Sequence, residues 1–415
     1  MGVVKKVVYV LCLAVILGGL SFPAASFAGG DDPPPPTGFK VFPTLQIVET
    51  DSVGIVWETH NSATATIKIS LNSNMSGSMP ISVGSSSKNH KIRVNNLDEN
   101  TTYYFNVAAD GQTSSTGSFV TALAKGSVEP FRFALYGDTR KSPWYEDAVS
   151  WYGDNEDHLA VLDSIMEYSP DFSIHVGDFV YDGTDMDGIY NFFDVERNFL
   201  SKIPMYPTYG NHEFSGGSGA GNTKIDSYIM PSPNASFGYY SEDYGNLHIL
   251  VVNTGVGVWA SDDFSVIEAG SAQRAFIETD LAAASSDADI DHIVVSMHAP
   301  LYSVAGFGDN QKLINSLEPL FKQYGVKAVF MGHEHDYQRQ EKDGIQYILS
   351  GGGGSSIMDM AWHGDEGDSA ANLKKYDDVL NYVIFDVAGD TISCEARKVE
   401  GHGDSTSSRI DTFTL

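Results

Sequence analysis

The chain is poor in cysteine and in basic residues and has one long hydrophobic run, and each shortage excludes something. Two cysteines occur among 415 residues. Cys12 lies inside the apolar run Val7 to Leu20, so loss of that run leaves Cys394 alone and no internal disulfide can form. Stability must then come from a buried core, which a chain of this length can supply. Only 25 Lys and Arg stand against 54 Asp and Glu, a formal charge of −29. Such a field repels nucleic acid and anionic membrane surfaces, so neither is expected as a partner. It also repels phosphate-bearing ligands at long range, unless local cations overcome it. Beyond Leu20 no hydrophobic stretch is long enough to span a bilayer.

Lys5 and Lys6 precede the apolar run, and Ser26-Phe27-Ala28 follows the small-x-small cleavage pattern. Residues 1–28 therefore read as a secretory signal peptide, which predicts a secreted or periplasmic protein with no membrane attachment after cleavage. Residues 29–37 (GGDDPPPPT) read as a proline-rich spacer. From 38 to 124, short alternating runs such as SVGIVWETH (52–60) and TTYYFNVAAD (101–110) predict an all-β sandwich. It carries no cluster of titratable groups. From 130 to 400 short apolar strands alternate with helices, the strands including 131–137, 171–177, 247–253, 292–298 and 326–332. Helices are expected at 157–168, 187–202, 271–284 with Ser271 as N-cap, and 310–324 closed by Gly325. The predicted class is α/β, a four-layer α/β/β/α domain with two mixed sheets, although the alternation alone also permits a doubly wound sheet. Residues 401–415 form a tail or a last strand.

Five segments carry the chemistry, each at the end of a predicted strand: Asp138 in YGDTR, Asp178 and Tyr181 in VGDFVY, Asn211 in GNHE, His298 in VVSMHAP, and His333 and His335 in MGHEH. Strand-end loops of α/β sheets converge on one rim. A carboxylate can span two cations, and His333 and His335, one residue apart, can each serve a different ion. Seven oxygen and nitrogen donors in this order point to a two-metal hydrolase.

These segments resemble, in order, those of the purple acid phosphatases within the metallophosphoesterase superfamily, whose pattern runs GDxG, GDxxY, GNH(E/D), VxxH, GHxH. The resemblance implies Asp138, Tyr181 and His335 on a ferric site, Asn211, His298 and His333 on a divalent site (Fe, Zn or Mn), and Asp178 bridging. A phenolate is a hard anionic donor suited to trivalent iron, so Tyr181 selects the iron branch over relatives with a DxH histidine, a position held here by Arg140. The implied reaction is hydrolysis of a small phosphomonoester by hydroxide held at the metal pair. His212 is expected to contact the phosphoryl group, with Glu213 orienting it. Arg140 departs from the GDxG pattern and offers a bidentate contact to phosphate. Residues 38–124 resemble a fibronectin type III-like module, with Trp57 in the core position and Leu97, Thr101 and Tyr103 around a tyrosine corner.

A phosphodiesterase acting on cyclic nucleotides or phospholipid head groups would use the same donors. A surface-binding protein with a degenerate enzyme domain is the rival from another class. His175, His248 and His292 read as strand residues without chemistry. Tyr337 and Arg339 follow GHEH and either approach the site or lie at the surface. Glycine-rich loops at 215–222 and 351–354 are expected to flank the site. Oligomeric state is not legible in the sequence.

Overall fold

The computed structural model describes residues 37–141, 155–214, 224–231, 238–257, 262–357 and 367–415, and Thr37–Leu415 is one compact unit. The signal-peptide reading of 1–28, nearly all of the spacer and the loop at 215–222 lie outside the described residues.

The strands are β1 (Phe39–Val48), β2 (Ser52–Ser70), β3 (Met79–Asn95), β4 (Thr102–Ala109), β5 (Gln112–Thr113), β6 (Gly117–Val120), β7 (Phe131–Tyr136), β8 (Phe172–His175), β9 (Met205–Pro207), β10 (Tyr240–Tyr244), β11 (Leu247–Val252), β12 (His292–Met297), β13 (Ala328–Met331), β14 (Tyr337–Lys342), β15 (Ile345–Ser350), β16 (Leu373–Asp377), β17 (Asn381–Ala388), β18 (Thr391–Gly401) and β19 (Asp404–Thr414). The helices are α1 (Asn155–Met166), α2 (Met186–Val195), α3 (Ala272–Ser286), α4 (Gln311–Gln323) and the short α5 (Gly367–Asn372).

Two sheets result. A 12-stranded sheet runs β19-β18-β17-β7-β8-β9-β1-β2-β4-β5, with β3 on β2 and β6 on β4. A 7-stranded sheet runs β10-β11-β12-β13-β15-β14-β16. Both are mixed: β7, β8 and β9 are parallel neighbours, as are β11, β12, β13 and β15, with antiparallel strands outside them.

The two-residue period of a strand decides the layers. In β7, Phe133 and Leu135 join the core between the sheets, which also takes Ile249 and Val251 of β11 and Phe330 of β13. Their neighbours Ala134 and Tyr136 pack with α1 and α2, while Leu250 and Val252 pack with α3 and α4. The four-layer expectation holds and the single doubly wound sheet does not.

Helix starts follow side-chain capping. Ser271 Oγ accepts from Arg274 N, Asn310 Oδ1 from Leu313 N, and Asp185 from Asp187 N and Gly188 N. α2 ends at Val195 rather than 202, and turn hydrogen bonds such as Leu200 N to Glu196 O (2.8 Å) carry the chain on to Ile203. The last residues form a strand, β19, paired to β18.

Strands β1–β6 pair only antiparallel among themselves, and β1 joins β9 in parallel at Gln46 and Met205. Trp57 is fully buried and stacks on His90 at 4.7 Å. Tyr103 Oη accepts from Asp98 N at 2.9 Å.

Candidate metal centre

Every donor-bearing segment leaves the C-terminal end of a parallel strand: Asp138 after β7, Asp178 after β8, Asn211 after β9, His298 after β12, His333 and His335 after β13. The turns are unusual. Asp138, Asp178 and His333 sit at φ of 57°, 56° and 76°, the left-handed region that side chains with a Cβ rarely enter. Strain of this kind persists only where the surroundings over-determine it. Here the two GD turns interlock, Asp138 N donating to Gly177 O (2.9 Å) and Arg140 N to Asp178 O (3.1 Å). Gly177, at φ 103°, both turns the chain and permits close approach, whereas Gly210 permits close approach alone. A Cβ on Gly210 would lie 2.2 Å from Asp178 Oδ1, and one on Gly177 2.8 Å from His298 Nδ1.

The donors converge. Ligating atoms of Asp178, His298 and His333 all lie within 4.8 Å of one another. Asn211 Oδ1 is 3.0 Å from His298 Nε2 and 3.1 Å from His333 Nδ1, and His298 Nε2 is 3.3 Å from Asp178 Oδ1. On the other side His335 Nε2 is 3.8 Å from Asp138 Oδ1, and both Asp138 oxygens accept from His333 N at 3.0 Å. His298 Nδ1 donates to Val176 O (2.8 Å) and His335 Nδ1 to Ser356 O (2.7 Å), so each ring turns Nε2 inward.

Burial sets the electrostatics. It holds His333 well below its ordinary pKa, with the charge of His298 adding to it, and it lowers His335 to about 3, helped by Arg140. Both are therefore neutral, the form in which an imidazole binds a metal. Burial also opposes protonation of His298, but Asp178 outweighs it and raises the ring to about 9. Burial pushes Asp138 well up, whereas Asp178 is held well below the usual range because His298, His212 and Arg140 outweigh its desolvation. His333 Nε2 is buried without a hydrogen-bond partner among the described residues. A buried set of oxygen and nitrogen donors, two of the imidazoles neutral and one with an orphaned atom, fits a cation.

Tyr181 stands beside this cluster, its ring 4.9 Å from that of His212 and under the Arg140 guanidinium at 5.1 Å. Arg140 is buried, with Nε 3.8 Å from Asp178 Oδ2. His212 Nδ1 donates to Tyr181 O (2.7 Å), which leaves Nε2 facing Asp178 Oδ2 at 3.8 Å.

The expectation that Glu213 orients His212 is corrected. Its buried carboxylate accepts from the main-chain N–H groups of Asp178 (2.9 Å), Phe179 (2.8 Å), Val180 (3.3 Å) and Gly210 (2.7 Å). It therefore caps the turn that presents Asp178. Burial and the Asp178 charge push it up to about 8, against which the N–H donors favour the carboxylate.

Other predicted residues separate from the site. His175 is buried, with Nε2 on Thr139 Oγ1 (3.0 Å) and Nδ1 accepting from Gly177 N (3.1 Å), a structural role. Tyr337 and Arg339 bond Asp411 of β19, at 3.0 Å and 2.6 Å, away from the donors. The loop 351–354 does flank the site: Gly353 N donates to Gly137 O (2.9 Å) and Ser355 N to Asp138 O (2.9 Å).

One neighbour escaped the sequence. Phe307 packs edge-on against His333 (centroids 4.2 Å apart), with its N–H held by Glu334 Oε1 at 3.0 Å. Its only signal in the sequence is its place in the segment that follows His298.

Residues 131–337 match the profile described as Calcineurin-like phosphoesterase, so the chain contains a calcineurin-like phosphoesterase domain. Its relatives include tartrate-resistant acid phosphatase type 5 of Homo sapiens, 29% identical over 258 residues (56% of this chain, 75% of that one). Purple acid phosphatase 21 of Arabidopsis thaliana is 27% identical over 287 residues (65% of this chain, 59% of that one). An uncharacterized protein of Mycobacterium tuberculosis is 29% identical over 273 residues (60% of this chain), and the match spans about half of that relative's length, 51%. Among solved structures, the yellow lupin purple acid phosphatase PPD1 superimposes with a TM-score of 0.71 at 20% identity, covering 90% of this chain and 74% of that one. PhoD superimposes with a TM-score of 0.65 at 12% identity, covering 91% and 90%.

Proposed function

We propose that the protein is a secreted, metal-dependent phosphatase that hydrolyses phosphomonoesters. The observation that carries this reading is the convergence of Asp178, His298 and His333 within 4.8 Å, with Asn211 Oδ1 between the two histidines. Asn211, His298 and His333 would hold one ion, Asp138, Tyr181 and His335 a second, with Asp178 shared. The phenol oxygen of Tyr181 favours Fe(III) in that second position. A bound metal pair supplies Lewis acidity and lowers the pKa of water to near neutrality.

The chain's own residues do the rest. Arg140, fixed by Asp178 and the Tyr181 ring, presents planar N–H donors to a phosphoryl oxygen and offsets the repulsion from the protein's negative charge. His212, held at Nδ1 by the Tyr181 carbonyl, turns Nε2 toward the departing ester oxygen and would pass it a proton from the imidazolium form, which burial disfavours and the Asp178 charge favours. The charge developing on the phosphoryl group is thereby met by fixed donors. The same proposal extends to localisation and to the N-terminal part: residues 1–28 direct export, and 38–124 form a fibronectin type III-like module.

The test is metal analysis with a visible absorption spectrum of the purified protein, together with hydrolysis of p-nitrophenyl phosphate and its bis-ester. Iron, a visible charge-transfer band lost in Tyr181→Phe, and preference for the monoester are expected. An iron-free, colourless but active enzyme would remove the tyrosinate assignment. Preference for the bis-ester would replace the monoesterase by a diesterase.

A further inference from the structure

The segment bearing Asn211 and His212 is gripped on both sides by the N-terminal strands, to which the sequence assigns no chemistry. On the near side, β9 leads into Tyr209-Gly210-Asn211 and pairs with β1 at Gln46 and Met205. On the far side, residues 224–231 are held by side chains of β1, β2 and β3. Gln46 uses its whole amide, Nε2 donating to Tyr228 O (2.9 Å) while Oε1 accepts from Met230 N (2.7 Å). Glu58 accepts from the Tyr228 hydroxyl, and from Tyr190 Oη at 3.3 Å. Lys91 Nζ donates to Asp226 O (2.9 Å) and Ile229 O (3.2 Å), and Arg93 Nη2 to Pro231 O (3.3 Å). A Cβ on Gly54 would lie 2.7 Å from Met230 Cγ, so the packing there is close.

From this strap two short links reach the site. Ile225 N donates to Gly183 O (3.0 Å) and Gly183 N donates to His212 O (3.0 Å). Tyr209 Oη donates to Asp226 Oδ1 (3.1 Å), and its ring stacks on Phe214 (centroids 5.7 Å apart). Gln46 is completely buried, where a polar side chain is tolerated only with its hydrogen bonds made, and it makes them to two main-chain groups of the strap.

We propose that the N-terminal strands are a positioning element of the active site and that Gln46 is its central positioning residue, acting on His212 through residues 224–231. The proposal rests on the phosphatase reading for its effect on turnover. Catalytic side chains must be held to a fraction of an ångström by the shell behind them, and a small misplacement costs turnover without loss of binding. In this arrangement the N-terminal part serves the chemistry of its own chain.

The test uses the full chain with Gln46→Met, which keeps the volume and removes both hydrogen bonds. Three quantities are measured: amide hydrogen exchange over 205–214 and 224–231, metal content per chain, and kcat and KM for p-nitrophenyl phosphate. The expected result is faster exchange confined to those two segments, kcat lower by about tenfold, KM within about twofold, and unchanged metal content. Unchanged exchange there, loosening spread evenly over the chain, or unchanged kcat despite local loosening would overturn the proposal. Lys91→Met, at an exposed position, covers the case in which Gln46→Met does not fold. It should give the same pattern with kcat lower by about two- to threefold, and no change in either readout counts against the proposal. A wild-type chain that hydrolyses no phosphoester would defeat the phosphatase reading instead, while the exchange pattern still decides whether these strands hold the segment.

Discussion

Two buried histidines, His298 and His248, each contact aspartate and each has a pKa raised to about 9, yet their surroundings differ in kind. Burial opposes the charge on both rings and the carboxylates win. His248 spends both nitrogens on carboxylates, Nδ1 on Asp243 (2.7 Å) and Nε2 on Asp280 (2.9 Å), and Lys125 answers Asp243 (2.9 Å) and Asp287 (2.7 Å). These groups line a cavity of about 450 Å³ with their charges already paired. His298 spends Nδ1 on a carbonyl and turns Nε2 toward an amide oxygen and a carboxylate that other donors also approach. A raised pKa and a large cavity are common to structural ion pairs and sites. What separates the two regions is that the ligating atoms of Asp178, His298 and His333 converge on one another, whereas the His248 nitrogens are each consumed by a separate carboxylate.

The largest expected break in the comparison is Asp178→Asn, which removes the shared carboxylate. Metal content should fall and turnover of p-nitrophenyl phosphate should drop by about 10³-fold or more, measured by elemental analysis and steady-state kinetics.

His248→Ala should act on stability alone. It leaves Asp243 and Asp280 facing each other in a half-buried position, a loss of about 3 kcal/mol in denaturant unfolding with kcat unchanged. The sign of its pH dependence follows from the raised pKa. Protonated His248 contributes fully below pH 6.5, its ordinary value, and that contribution is lost as pH rises through about 9. The stability gap between wild type and His248→Ala should therefore shrink between pH 7 and 10. A constant gap would mean that His248 is not charged in the folded state.

His212→Ala should keep the metals and lower kcat by about 10²-fold, the usual scale for a lost proton donor. Unchanged kcat would remove the role assigned to Nε2. Arg140→Ala should raise KM by about tenfold with metal content intact, since one bidentate phosphate contact is lost. If metal content fell instead, Arg140 would be holding Asp178 rather than substrate.

Much of the fold was legible because its signals are local. Ser271 and Asn310 cap helices within three residues, and the alternation in β7 and β11 sorts inner from outer faces without reference to the rest of the chain. Glu213 was misread for the opposite reason. Adjacency to His212 suggested a partner, but its carboxylate reaches back to the turn at Asp178, 35 residues earlier. The end of α2 was also overrun, because apolar periodicity continues through turns that are no longer helical.

By itself the sequence determined the strand and helix alternation and the order of the turns that carry the candidate donors, since each depends on a few neighbouring residues. Tertiary structure alone decided which histidine nitrogens face the centre, that Asp138, Asp178 and His333 take left-handed backbone, that His248 is consumed by two carboxylates, and that Gln46 bonds Tyr228 across 182 residues. Those outcomes depend on the register of strands far apart in the chain, where a difference of one residue would turn each side chain to the opposite face.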